Sequence, residues 1–135
     1  MPRRPNNTDR ERVVMTFDHA ALTATTTTKL WKCPAGRKFQ VERASYINPT
    51  GLTGDITNAF AGAVQNGATV MATLFNTDTD AGGATLAADT FVEGVLSATL
   101  ANRWLAAADV ISLVATETGV QTLPIGRLVL EGFLY

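Results

Sequence analysis

The sequence predicts an all-β protein, a jelly-roll-like β-sandwich of about eight strands preceded by an extended N-terminal arm. Three observations carry this expectation. Short segments with period-two alternation recur between clusters of Gly, Pro and Asn. Thr and Ala are each present about 20 times, so strand propensity is high and outward-facing side chains are small. No segment sustains a long helical period. At 135 residues the chain has material for one hydrophobic core, and two independent ones would each be marginal.

The elements follow in order. Residues 1–11 contain Pro2, Pro5 and paired Asn residues without apolar periodicity, and form the arm. The jelly-roll domain occupies 12–135. Its first strand is expected at 12–17 and its second at 27–33, closed by the turn at Pro34-Ala35-Gly36. The clearest strand runs over 37–47, where Phe39, Val41 and Ile47 share one face and Gln40 and Glu42 the other. Asn66-Gly67 is a strong hairpin signal, because both residues accept positive φ, and it joins 56–65 to 68–75. The first of that pair is ambiguous, since Ile56, Phe60 and Val64 also fit a helical stripe. A Gly/Asp/Thr/Ala loop is expected at 76–89 and a strand at 90–100 with Val92, Leu96 and Leu100 on one face. Residues 101–108 read as a helical turn or packed loop. Strands at 110–115 and 126–135 complete the set.

The formal net charge of -1 conceals an asymmetry. Residues 1–43 hold nine of the 11 Lys and Arg residues and four of the 12 Asp and Glu residues. A basic first third and an acidic remainder imply a surface that meets an acidic partner, which a second copy could also supply. The polar arm is of a kind that becomes ordered against something, so it is expected to lie on that partner. Nucleic acid is not the expected target: Asp9 and Glu11 interrupt the arginines, no aromatic is interleaved with them, and the pI is about 5.7. Arginines serve protein carboxylates equally well.

Composition argues against an enzyme and against a bound cofactor. One His and one Cys exclude an internal disulfide and a Cys/His zinc cluster. His19 neighbours Asp18, but adjacent strand residues face opposite ways, so they make a poor dyad. Cys33 has no second thiol nearby and reads as a small buried or half-buried side chain. Ser45, Ser97 and Ser112 lie in strand segments without a nucleophile elbow. The run Asn76-Thr77-Asp78-Thr79-Asp80-Ala81-Gly82-Gly83 alternates oxygen ligands like a calcium loop. Ala81 and Ala87 stand where the turn Gly and closing Glu belong, so a solvated turn is the better reading and no metal is expected. Trp31 and Trp104 read as core residues or as exposed anchors. No apolar run is long enough to span a membrane, and no export signal is visible.

The stretch from Cys33-Pro34-Ala35-Gly36 through Tyr46-Ile47-Asn48-Pro49-Thr50-Gly51-Leu52 carries a family likeness. So do Asn66-Gly67-Ala68-Thr69-Val70, Ala87-Ala88-Asp89-Thr90, Ala108-Asp109-Val110-Ile111-Ser112-Leu113 and Pro124-Ile125-Gly126-Arg127-Leu128. Over about residues 28–135 the chain resembles the small jelly-roll decoration, or cement, proteins on capsids of tailed bacteriophages. The resemblance implies a structural virion protein, made in the host cytoplasm, that binds the outer capsid surface and bridges major capsid protein subunits against internal DNA pressure. It implies no catalytic residues. A homo-oligomer is expected, a dimer before a trimer. From the charge pattern, Arg3, Arg4, Arg10 and Arg12 are the expected capsid contacts. His19, Trp31, Lys32 and Tyr135 are further interface candidates. A carbohydrate- or receptor-binding jelly-roll module of a phage particle is the alternative, with Trp104 beside Asn102 and Arg103 as its sugar platform.

Overall fold

The computed structural model describes residues 10–135 as two antiparallel sheets packed face to face. Ten strands form them: β1 (Glu11–His19), β2 (Thr26–Lys32), β3 (Phe39–Ile47), β4 (Ala59–Asn66), β5 (Thr69–Asn76), β6 (Val92–Glu93), β7 (Val95–Leu96), β8 (Trp104–Leu105), β9 (Val110–Thr118) and β10 (Gly126–Leu134). One sheet has the order β1-β10-β3-β6, with β8 also pairing β3, and the other has β2-β9-β4-β5-β7. Taking β6 to β8 as one interrupted strand gives eight strands in jelly-roll order. Residues 1–9, including Arg3 and Arg4, lie outside the described residues. Glu11 already belongs to β1 and pairs with Leu134, so the domain begins slightly earlier than expected.

Alternation builds the core. The inward rows of β3 and β10 carry Phe39, Val41, Leu128 and Leu130, each 1% exposed or less. They meet Phe60, Val64, Met71, Ile111 and Leu113 from the opposite sheet. The segment at 56–65 resolves as strand β4. Phe60 and Val64 are four apart, which satisfies a two-residue period as well as a helical one, and Ile56 falls outside the strand, exposed. Asn66-Gly67 makes the tight turn into β5, with Gly67 at φ 58.

The expected strand at 90–100 is broken instead. Val92-Glu93 adds to β3 in one sheet, Val95-Leu96 crosses to β5 in the other, and Trp104-Leu105 returns to β3. A single-turn 3-10 helix at Leu100–Arg103 lies between, leaving Leu100 exposed rather than facing inward with Val92. This segment laces one side of the sandwich shut. The opposite side, between β1 and β2, is joined by the Leu22 to Leu123 backbone pair at one end.

Candidate protein-binding surface

Strand direction decides where each connection lies. The links β1–β2, β3–β4, β5–β6 and β9–β10 gather at one end of the sandwich, here the apex, and β2–β3, β4–β5 and β8–β9 at the other, the base. Asp18, Asp55, Asp78, Asp80, Asp89 and Glu117 cluster at or near the apex, where Arg127 is the one described Lys or Arg. Arg10, Arg12, Lys32, Arg37, Lys38 and Arg103 cluster at the base, against Glu11 and Asp109. The charge split along the sequence thus becomes a polarity along the strand axis.

Local chemistry fixes both ends. At the base, the Arg10 guanidinium lies 3.8 Å from the centre of the Phe133 ring, a cation–π contact. Arg12 reaches Glu131 at 3.1 Å. Arg37 donates from Nε to the Tyr135 carbonyl at 3.1 Å, and the Lys38 backbone pairs with Tyr135 in both directions, so the 34–38 turn clasps the end of β10. Trp104 packs against Tyr135 with ring centres 5.2 Å apart, on the outer face beside Gln40. Lys38, Trp104, Leu105, Ala106 and Asp109 line an open recess next to this aromatic pair.

At the apex, Asp55 accepts backbone N–H bonds from Thr57 and Asn58, both at 2.7 Å. These donors hold its carboxyl below the usual range, so the charge persists into acid. Asp78 caps the turn at Thr79–Ala81 by accepting from the Asp80 and Ala81 N–H groups. The side-chain oxygens of Asn76 and Asp78 in the 76–83 run therefore accept from turn N–H groups. Among the described residues no group of three or more His, Cys, Asp or Glu side chains is arranged to hold a metal. Asp18 forms a two-point pair with Arg127, at 2.7 and 3.2 Å, which holds the Asp18 carboxyl below its usual range.

The sequence candidates separate accordingly. Arg10, Arg12, Lys32 and Tyr135 come together at the base. Trp31 is half-buried, edge-on to Phe39 at 5.2 Å, on the β1/β2 side of the sandwich. His19 is a correction. It is 6% exposed and is not available as an interface residue. Its Nδ1 lies 2.7 Å from the Ala20 carbonyl, which only accepts, so Nδ1 carries the hydrogen and Nε2 accepts from the Tyr46 hydroxyl at 2.6 Å. Asn48 completes the chain by donating to Tyr46 at 3.2 Å and to the Pro124 carbonyl at 2.8 Å. Cys33 is buried, and that burial raises its thiol pKa, which keeps it protonated and inert.

Sequence reasoning counts Arg37 only within the basic run from Lys29 to Arg43, without its clasp on β10, and misses Phe133. Phe133 lies in the same outward row as Gln40 and Trp104, a relation visible only in the register of β10, β3 and β8. Among the described residues no helix is long and apolar enough to cross a membrane. No protein-family model matches the chain, and comparison with curated proteins finds no match.

Proposed function

We propose that this protein is a non-enzymatic structural component of a virus particle, a decoration protein that attaches to the outside of a capsid, bridges its subunits and stabilises the shell. The single observation that carries the reading is the separation of charge along the sandwich, with a cationic, aromatic-backed base opposite an anionic apex. Such a molecule has a defined adhesive end and a solvent end. Arg10 over Phe133 and the exposed Lys32 are suited to carboxylates on a protein lattice. The sequence resemblance to capsid cement proteins points the same way. Individual surface ion pairs contribute about 0–1 kcal/mol, so attachment depends on several contacts made together.

The test is binding to purified shells of the major capsid protein at physiological salt. The triple variant Arg10→Glu/Lys32→Glu/Lys38→Glu is expected to lose at least about tenfold in affinity, while Asp80→Lys at the apex retains it. Equal binding by the triple variant would overturn the reading. A truncation of the arm has to stop at Asp9, because Glu11–His19 is a strand of the domain. Removal of residues 1–9 is expected to leave the thermal transition unchanged and to weaken retention on shells.

The Trp104–Tyr135 pair beside an open recess favours one second reading, a carbohydrate-binding module. Glycan-array binding abolished by Trp104→Ala would support it over the first.

A further inference from the structure

The two sides of the sandwich are finished differently. On the β3/β5 side, β6 to β8 cover both sheet edges. On the other side β1 and β2 are edge strands, and among the described residues neither has a second neighbour. Strand β2 is blunted in the ways that keep edges from pairing: it carries Lys29 and Lys32 and a bulge between Lys29 and Trp31. Strand β1 is not. Its nine residues pair with β10 without a register shift, contain no Pro or Lys, and leave Val14 56% exposed. Val13, Met15 and Phe17 on its inner row and Leu30 and Trp31 on β2 are only partly buried, so apolar surface shows along this seam.

We infer that β1 is a self-pairing edge, which joins a second copy of this chain in antiparallel register about a two-fold axis at Met15. Antiparallel neighbours share a face, so the two residue numbers at each opposed position must sum to an even value. Centring on Met15 opposes Arg12 to Asp18 of the second copy, Val14 to its Thr16, Val13 to its Phe17 and Met15 to itself. Every outward charge meets its opposite and every inward apolar residue meets another. A centre at Val14 sets Arg12 against Thr16 and Glu11 against Phe17. A centre at Thr16 sets Val14 against Asp18. Only the Met15 register uses the whole strand, and it opposes Arg12 to Asp18 while leaving Glu11 against His19 at the ends.

The outer face then carries a row of alternating sign, from Glu131 and Arg12 to Asp18 and Arg127 of the second copy, built on ion pairs already present within each chain. Antiparallel pairing also sets the basic base of one copy beside the acidic apex of the other, so their charge polarities oppose favourably. The half-exposed inner row is covered by its own counterpart. Each extremity of the dimer therefore carries the basic base of one copy beside the acidic apex of the other.

This inference does not rest on capsid binding, and the isolated full chain tests it. Sedimentation equilibrium at about 100 µM, a concentration that populates micromolar complexes, is expected to return twice the 14.3 kDa chain mass. Opposed Cα atoms lie about 4.5–5.5 Å apart, within disulfide reach. Under mild oxidation Met15→Cys is therefore expected to give at least about tenfold more covalent dimer than Val14→Cys or Thr16→Cys alone, whereas an equimolar mixture of those two cross-links. A monomeric or trimeric mass overturns the inference. So does a dimer in which Met15→Cys fails to link, or in which Val14→Cys links to itself equally well. Amide exchange in β1 of the unmodified protein should slow as concentration rises, a readout that needs no variant.

Discussion

Gly132→Ala is expected to lower unfolding stability by about 3 kcal/mol, at the upper end of what forced insertion into a packed core costs. Gly132 sits on β10 opposite Val41, where the register with β3 shifts after Glu131. A Cβ added there runs into the Gln40 carbonyl oxygen and lies 2.6 Å from Cζ of Phe39. The ring belongs to a fully buried side chain and the carbonyl to a central strand pair, so neither can move independently. Thermal melting should fall by about 10 °C for a domain of this size. Phe39→Leu relieves the ring contact but not the carbonyl and leaves a cavity of its own, so the double variant should lose less than the sum of the two single losses. Gly67→Ala provides the contrast. Its Cβ meets nothing within 4 Å, so the cost is confined to the positive φ of the turn, about 1–2 kcal/mol. Equal losses at the two positions would show that the close packing of β10 on β3 is not what glycine serves there.

Much of this architecture was legible locally. Period-two alternation located β3, short strand-like segments between turn signals located β1, β9 and β10, and Asn66-Gly67 located the β4–β5 hairpin, because strand pleat and turn geometry are set by near neighbours. The charge split was legible as a quantity but not as a direction. Its conversion into a base and an apex depends on which links share an end, which is a property of sheet order. The 90–100 segment was misread for a related reason. Val92, Leu96 and Leu100 are evenly spaced, but the chain there serves two sheets in turn, crossing at Gly94, whose N–H bonds the Ala44 carbonyl at 2.7 Å. Local pattern carries no record of that change of partner.

His19 shows what a fuller reading of the same strand offered. Val13, Met15 and Phe17 are the inward row of β1, and His19 continues their parity. That parity placed Asp18 and His19 on opposite faces and also placed His19 inside. The partners that make burial tolerable, Tyr46 and Asn48, lie on a strand and a turn remote in sequence. The two-point pair between Asp18 and Arg127 was equally out of reach, since it needs the β1/β10 register.

The same polar chain gives the protein an alkaline weakness. Tyr46 is fully buried, and burial raises its phenol pKa from 10.0 to about 12, with the Asn48 hydrogen bond opposing. An unfolded chain therefore ionises Tyr46 near pH 10 while the folded chain holds the proton. The associated stability is fully present below pH 10 and is lost progressively as pH rises to about 12. Two units of difference correspond to about 3 kcal/mol across that window. Ionisation also removes the hydrogen that Tyr46 offers to His19 Nε2, which links the loss of charge balance to the β1–β3 connection. Tyr46→Phe is expected to cost about 1 kcal/mol or somewhat more at neutral pH, since His19 and Asn48 each lose a partner. Denaturant melts of the two proteins from pH 8 to pH 12 should therefore converge or cross, because the variant lacks the titrating phenol. A parallel decline in both would assign the alkaline transition to other groups and leave Tyr46 as a packing residue.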